Sequence, residues 1–164
     1  MGAVLLKIWI WLARYTPIAQ RNADVNEADV VLDTSAILSV IQDEPGADFV
    51  EARLEEGASG KIAIAASFVS LTEILYKTIQ LADKRRADEL VAVIKSWPVE
   101  FVHSDEALCM AAGEIKARFL VSFADAFVGA TAQRFGALLI HKDPEFESLK
   151  SVIKLKALPY KARG

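Results

Sequence analysis

Four acidic residues occupy positions from which their carboxylates could share one site. Asp33 follows residues 30–32, an apolar run with the length of a short buried strand, and Asp143 follows a similar run at residues 137–141. Asp125 stands at the start of a helical pattern, and Glu73 stands about one turn into another. Ligands of open α/β sheets bind at the edge where the carboxyl ends of parallel strands meet. We therefore expect the four carboxylates to converge at that edge.

Several carboxylates in one cleft repel one another, and a divalent cation relieves this repulsion. An all-oxygen set of ligands suits Mg²⁺ or Mn²⁺. Softer metals are poorly supported, because the two histidines, His103 and His141, and the single cysteine lack the spacing of a zinc site. The acidic residues therefore predict a magnesium or manganese site.

Each acidic residue also has a purely local interpretation. Three of them stand where helix caps form, and the fourth stands where a helix ion pair forms, interactions worth about 1 kcal/mol or less. The local partners are the following helix for Asp33, Ser122 in a capping box for Asp125, the turn at Pro144 for Asp143, and Lys77 for Glu73. Taken singly, none of the four requires a shared site.

The composition indicates one globular domain. With 164 residues and 53% hydrophobic content, the chain can bury one sizeable core. Its formal net charge of -3 argues against a broadly basic surface for nucleic acids, although not against a local one. The single cysteine, Cys109, stands between Leu108 and Met110, so we expect a buried structural thiol. The lack of a disulfide framework is compatible with a reducing cytoplasm.

Hydrophobic periodicity predicts strands that alternate with helices. Strands are expected at residues 30–32, 61–65, 98–103, 137–141 and 152–155. Helices are expected at residues 36–41, 83–94 and 104–118, around residues 49–54, and from Ser67 and Ser122, the last of these ending at Gly136. In the helix from Ser67, an apolar stripe is formed by Phe68, Leu71, Leu75 and Ile79. This alternation implies an α/β fold with a mainly parallel sheet and helices on both faces.

Residues 1–28 form an amino-terminal extension and linker ahead of the predicted domain at residues 29–158, which a tail at residues 159–164 follows. Residues 3–13 are nearly continuously apolar, but they are too few to cross a bilayer and lack the features of a signal peptide. We expect an extra helix that packs on the domain or on a second copy. A misassigned start and a membrane-surface anchor stay open as alternatives.

The ordered set of motifs resembles the PIN-domain ribonucleases, especially the VapC toxins of prokaryotic toxin–antitoxin pairs. The resemblance covers residues 29–158. Its motifs are Val31-Leu32-Asp33-Thr34-Ser35-Ala36, Leu71-Thr72-Glu73-Ile74, Ser122-Phe123-Ala124-Asp125-Ala126 and Lys142-Asp143-Pro144-Glu145-Phe146. Each motif alone is weak, whereas the order and spacing of the four together are specific. The first 28 residues precede the usual start of such a domain.

This resemblance implies a three-layer α/β/α sandwich with the activity of a Mg²⁺- or Mn²⁺-dependent endoribonuclease. It also implies a small VapB-like antitoxin as partner, an RNA substrate and a homodimer. From the cysteine content and the lack of a stretch long enough to span a bilayer, we expect a cytoplasmic protein and no membrane partner. The catalytic and metal-binding residues that the resemblance implies are Asp33, Glu73, Asp125 and Asp143, accompanied by the hydroxyls of Thr34, Ser35 and Ser122. One departure is His141, which stands where similar sequences commonly carry threonine.

Basic residues near these motifs are the expected contacts for the RNA backbone. Lys116 and Arg118 precede the third motif, and Lys142 belongs to the fourth. A second basic surface is expected from the lysines and arginine of the carboxyl-terminal segment: Lys150, Lys154, Lys156, Lys161 and Arg163. No residue of the sequence specifies a base.

Two other functions compete with the nuclease. A phosphatase with an aspartate nucleophile could also begin at the end of a strand, but such enzymes usually carry a second aspartate two residues later, where this chain has Ser35. Alternatively, the acidic site is retained for folding or partner binding, and the domain is an interaction module without turnover.

Overall fold

The structure is a computed structural model that describes residues 27–160. The predicted amino-terminal helix at residues 3–13 lies outside the described residues, as do residues 161–164 of the tail. None of the helices between residues 27 and 160 is long and apolar enough to cross a membrane.

Five parallel strands form the central sheet, in the order β3-β2-β1-β4-β5. The strands are β1 (Val30–Leu32), β2 (Ile64–Ser67), β3 (Glu100–Val102), β4 (Leu138–His141) and β5 (Lys154–Ala157). The central strand β1 pairs with β2 on one side and with β4 on the other, with Val31 opposite both Ala65 and Leu139. The carboxyl end of β1 therefore lies between those of β2 and β4.

Six α-helices and one short 3-10 helix connect the strands in the described part of the chain. They are α1 (Thr34–Ile41), α2 (Ala47–Ala58), α3 (Phe68–Leu81), α4 (Lys84–Lys95), α5 (Glu106–Arg118), α6 (Phe123–Phe135) and the 3-10 helix (Pro144–Leu149). As predicted, Gly136 ends α6, in the left-handed conformation that glycine adopts without steric cost. The periodicity thus located the helices of the domain.

The sheet separates two hydrophobic cores, which confirms the predicted α/β/α sandwich. Val31 points into the core that contains Leu108 of α5 and Val128 of α6. Its neighbours in β1 point into the core formed with α1, α2, α3 and α4. Strand side chains alternate between the two faces of a sheet, so a strand buried on both faces consists of consecutive apolar residues.

Four strands begin one to three residues later than predicted, among them β3 at Glu100 instead of 98 and β4 at Leu138 instead of 137. β2 covers Ile64–Ser67 instead of residues 61–65, because its register is set by the pairing of Ile64 with Val30. Alanine has weak strand propensity, so the sequence pattern ended the strand at Ala65 and did not include Ala66 and Ser67. β5 starts at Lys154 instead of 152, since the backbone at that position turns and donates its N–H to Leu149.

The sequence pattern predicted that two residues are buried, and both are exposed in the structure. Cys109 is exposed, because α5 buries Leu108, Ala112 and Ile115 and leaves the cysteine outside that spacing. In α3, Ile79 is also exposed, and the stripe beginning at Phe68 does not define the buried face.

The helix α3 is buried in both cores rather than along one stripe. Val69 belongs to the core on the α6 side, and Ile74 belongs to the core on the α1 side. The helix therefore contacts both helical layers, which a single-stripe pattern does not predict.

Candidate functional site

Asp33 follows the last residue of β1 and caps α1. The residue is 3% exposed. Its carboxylate accepts a hydrogen bond of 2.9 Å from the backbone N–H of Ser35, and the Ser35 hydroxyl donates to the same oxygen. Burial raises the pKa of Asp33 to about 6, against the opposing effect of the Ser35 hydrogen bonds, and the negative charges of Asp125 and Glu73 raise it further. Asp33 is therefore a buried carboxyl group within reach of two other acids.

Asp125 lies in the first turn of α6, where it forms a capping box with Ser122. The backbone N–H of Asp125 donates to Ser122 Oγ at 3.1 Å, and the Ser122 N–H donates to Asp125 Oδ2 at 3.3 Å. Burial raises the pKa of Asp125, and the charges of Asp143 and Glu73 act in the same direction. The local cap and the proximity to other acids therefore coexist.

Glu73 extends from α3 toward α1. Its Oε2 accepts a hydrogen bond of 2.7 Å from Thr34 Oγ1, and its Oε1 lies 3.0 Å from Lys77 Nζ. The Glu73 side chain is 17% exposed. Both carboxylate oxygens thus have a donor from the protein.

Asp143 follows β4 and caps the 3-10 helix. Its Oδ1 accepts a hydrogen bond of 2.9 Å from the backbone N–H of Glu145. The residue is half-buried, and its charge acts on Asp125. Asp143 therefore belongs to the acidic group because its charge interacts with that of Asp125 on α6.

The structure brings the four predicted acidic residues to one edge of the sheet, where their charges interact. In the described part of the chain, however, no three side chains of Asp, Glu, His or Cys are arranged closely enough to hold a metal ion. Hydroxyl, amide and ammonium donors hold the carboxylates in separate orientations. Buried, mutually repelling carboxylates fit a hard divalent cation chemically, but they must rotate to bind it.

Thr34, Ser35 and Ser122, the three predicted hydroxyl residues, all contact an acidic residue. Each hydroxyl also belongs to a cap or lies in the first turn of a helix. The hydroxyl of Ser35 accepts a hydrogen bond of 2.9 Å from the backbone N–H of Lys142, in addition to donating to Asp33. It therefore links the ends of β1 and β4.

Lys142 does not face solvent, which corrects its predicted role in RNA contact. Its side chain is 4% exposed, and its ammonium lies 2.8 Å from Glu44 Oε2 and 3.2 Å from the Pro45 carbonyl oxygen. A buried ammonium with these partners is not free to bind a phosphate. Lys142 instead fastens the turn after α1 to the end of β4.

Lys116 and Arg118 are exposed at the end of α5, as a surface contact requires. The Lys116 ammonium donates a hydrogen bond of 2.7 Å to the Val121 carbonyl oxygen, and the Arg118 guanidinium lies 5.7 Å from the centre of the Phe119 ring. Lys116 therefore also anchors the loop that leads to Ser122.

His141 is fully buried at the end of β4. Its Nδ1 lies 2.8 Å from the Asp143 carbonyl oxygen, which requires the nitrogen to carry the proton and donate. Burial lowers the pKa of His141, which favours the neutral ring. The His141 side chain therefore holds the backbone of Asp143, two residues later.

The sequence patterns did not show that two charged residues, Glu44 and Lys77, lie near the site. Glu44 belongs to the stretch Asp43-Glu44-Pro45-Gly46, whose composition indicates only a turn, and its partner Lys142 is 98 residues away. The pair of Glu73 and Lys77 has the spacing of a helix ion pair, but that spacing does not show that the pair lies at the acidic site.

Comparison with known proteins identifies the family. A family model described as "PIN domain" matches residues 30–151. No curated protein matches the sequence.

Three solved structures illustrate the shared fold. DNA-bound VapBC from Salmonella typhimurium has a TM-score of 0.65 and 19% identity, over 79% of this chain and 98% of that one. VapBC2 from Rickettsia felis, bound to a DNA fragment from its promoter, has a TM-score of 0.64 and 18% identity, with the same coverage. A toxin-antitoxin complex from Klebsiella pneumoniae has a TM-score of 0.57 and 13% identity, over 80% and 99%. The family match spans most of the sequence, and the chain belongs to the PIN domain family.

Proposed function

We propose that this PIN domain is a Mg²⁺- or Mn²⁺-dependent endoribonuclease that hydrolyses RNA phosphodiester bonds. The observation that carries this proposal is the group of Asp33, Glu73, Asp125 and Asp143 at one edge of the sheet. Asp33 and Asp125 are less than one-tenth exposed, and burial raises the pKa of both, with a smaller contribution from the charges of the other acids. A buried group of like charges costs stability, and a divalent cation would remove that cost.

The acidic residues have distinct proposed roles. Asp33 and Asp125 are the direct metal ligands, because they are the most buried of the four. Asp143 binds directly or through water, and Glu73 completes the site or positions the attacking water. Bound Mg²⁺ or Mn²⁺ would supply an activated water and neutralise charge at the scissile phosphate.

The hydroxyls orient these carboxylates. Ser35 holds Asp33, Thr34 holds Glu73, and Ser122 holds the backbone of Asp125. At the surface, Lys116 and Arg118 are the proposed contacts for the RNA backbone, since both are exposed beside the loop that leads to Ser122.

We further propose that the domain is the toxin of a VapBC-type pair, inhibited by a small VapB-like antitoxin. The similar structures named as VapBC and as a toxin-antitoxin complex support this assignment. Large apolar side chains remain exposed for a protein partner or a second copy in a homodimer: Tyr76, Leu81, Leu120 and Phe123. The cytoplasm, where RNA and antitoxin are both present, is the proposed location.

Cleavage of a mixed RNA pool tests the nuclease. We expect cleavage with Mn²⁺, none with EDTA, and none by Asp33→Asn, which keeps the cap but removes the charge. Asp88→Asn is the matched control, because Asp88 is an exposed acid paired with Lys84 on α4. Cleavage that persists in EDTA or in Asp33→Asn contradicts the proposal.

The interaction module is a second candidate, because no three acidic side chains between residues 27 and 160 are assembled around a common point. It predicts that purified protein binds a small protein partner tightly but cleaves no RNA under any metal condition. Covalent phosphate on Asp33 would instead support a phosphatase.

A further inference from the structure

Lys77 places a positive charge at the edge of the acidic site. Its ammonium lies 3.0 Å from Glu73 Oε1, and its side chain is 43% exposed. Partial burial lowers the pKa of Lys77, but the hydrogen bond and charge of Glu73 outweigh this effect and raise it, with a further contribution from Asp33. The charge of Lys77 therefore acts on two of the four acidic residues.

This ion pair differs from an ordinary pair on the surface of a helix. Glu73 is held from a second side by Thr34 Oγ1, which belongs to α1. The carboxylate is thus fixed between two helices and has a donor on each oxygen. By contrast, Lys84 and Asp88 on α4 have the same spacing of four residues, and both side chains are more than half exposed.

A carboxylate oxygen can accept a hydrogen bond and bind a cation at the same time, so the neutral Thr34 donor can stay, but a metal ion bound by Glu73 would lie close to the positive charge of Lys77. The acidic side chains are not assembled around a common point in the described residues, so at least some of them must rotate to bind an ion together. An ammonium group and a divalent cation repel each other at close range. The half-exposed Lys77 can move into solvent, whereas Thr34 is buried.

We propose that Lys77 is an internal counter-cation of the acidic site, which holds Glu73 in the metal-free protein and is displaced when a divalent metal ion binds. This inference rests on the metal site of the proposed function. Lys77 is a positioning residue in this role and not a metal ligand. Metal binding exchanges one cation for another at Glu73.

Titration calorimetry with Mn²⁺ alone tests the competition between the two cations. Lys77→Met should bind Mn²⁺ roughly five- to tenfold more tightly than the wild type, in the range of ordinary coupling between sites. Lys77→Arg keeps the charge and should bind like the wild type. The matched control, Lys84→Met, removes the equivalent lysine of the exposed pair and should leave the affinity unchanged. An unchanged or weaker affinity in Lys77→Met overturns the proposal.

Amine labelling of the full-length wild type provides a second measurement that requires neither a variant nor turnover. Acetylation of individual lysines is followed by peptide mass spectrometry, with and without saturating Mn²⁺. We expect Lys77 to become several-fold more reactive with the metal, because release from Glu73 frees its ammonium, while Lys84 stays constant. Equal labelling of Lys77 in both conditions overturns the proposal.

The two proposals fail in different ways. If the wild type binds no Mn²⁺ in the calorimeter, both the proposed metal site and the proposed role of Lys77 are contradicted. If the wild type binds Mn²⁺ but Lys77→Met and the labelling of Lys77 show no effect, the nuclease proposal stands and the counter-cation does not.

Discussion

The hydroxyl of Ser35 donates a hydrogen bond to the buried carboxylate of Asp33, at the carboxyl end of the central strand. The same hydroxyl accepts a hydrogen bond from the backbone N–H of Lys142, at the end of the neighbouring strand. One side chain thus fixes both the orientation of the carboxylate and the junction of β1 with β4.

Ser35→Ala should destabilise the protein by about 1–2 kcal/mol, because it removes two hydrogen bonds: the buried Asp33 carboxylate loses a donor, and the backbone N–H of Lys142 loses its acceptor. It should also raise the pKa of Asp33, since the lost donor favours the ionised form. Urea denaturation measures the first effect. The control is Ser148→Ala, whose exposed hydroxyl donates only to the Glu145 carbonyl oxygen and should cost less than about 0.5 kcal/mol. Equal costs would contradict the role of Ser35.

Asp33→Asn should stabilise the metal-free protein at neutral pH. The pKa of Asp33 is about 6 in the folded protein, above the ordinary value of 3.8, so the native state binds its proton more tightly than the unfolded chain does. Ionisation of Asp33 therefore costs nothing below about pH 4 and costs progressively more as the pH rises through 6, reaching roughly 3 kcal/mol. Asparagine removes this cost and caps the helix equally well.

Thermal unfolding between pH 4 and pH 8 without metal tests this linkage. The melting temperature of Asp33→Asn should match that of the wild type near pH 4 and exceed it above pH 6. Added Mn²⁺ should raise the melting temperature of the wild type more than that of the variant, because an ion stabilises the folded protein only where the folded protein binds it. Asp88→Asn should show no such divergence. Parallel curves for the wild type and Asp33→Asn across this range would contradict the raised pKa.

Lys142→Met should destabilise the protein by about 3–5 kcal/mol, because it leaves Glu44 in a mostly buried position without the ammonium that pairs with it. The double variant Lys142→Met with Glu44→Gln should recover part of the loss, which urea denaturation measures. Lys61→Met breaks the more exposed pair with Glu56 and should cost less than about 1 kcal/mol. If Lys142→Met is as mild as Lys61→Met, the buried pair does not fasten the turn.

The thiol of Cys109 should react with a thiol reagent in the native protein, since the residue is exposed. Cys109→Ser should change the free energy of unfolding by less than about 0.5 kcal/mol. If the thiol reacts only after denaturation, Cys109 is buried, as the sequence pattern predicted, and the exposed position is contradicted.

The local interpretations of the acidic residues and their convergence are both correct descriptions of the geometry. Asp33 caps α1, Asp125 forms its capping box, and Asp143 caps the 3-10 helix, as nearest-neighbour patterns predict. The same positions at the ends of strands and starts of helices bring the carboxylates together. Local signals were sufficient for these three residues because they lie at element ends, which the sequence marks well, whereas Glu73 lies inside α3.

Contacts between distant parts of the chain were not predictable in the same way. Lys142 follows a strand beside an acidic residue, which suggested a role at the surface, and only the packing of the turn at Glu44 reveals its burial. The prediction that Cys109 is buried was wrong for a related reason, since its apolar neighbours did not show which face of α5 meets the sheet. Periodicity locates an element, but the neighbouring elements decide which of its residues are buried.

The single-turnover rate of RNA cleavage, measured as Mn²⁺ is titrated, tests the central claim most directly. The substrate is an RNA that the wild type cleaves in the mixed pool. The rate should rise to saturation for the wild type and for Asp88→Asn, and should fall by at least about a hundredfold in Asp33→Asn and Asp125→Asn. A rate that is independent of Mn²⁺, or a wild-type rate in either variant of the acidic group, would contradict the account.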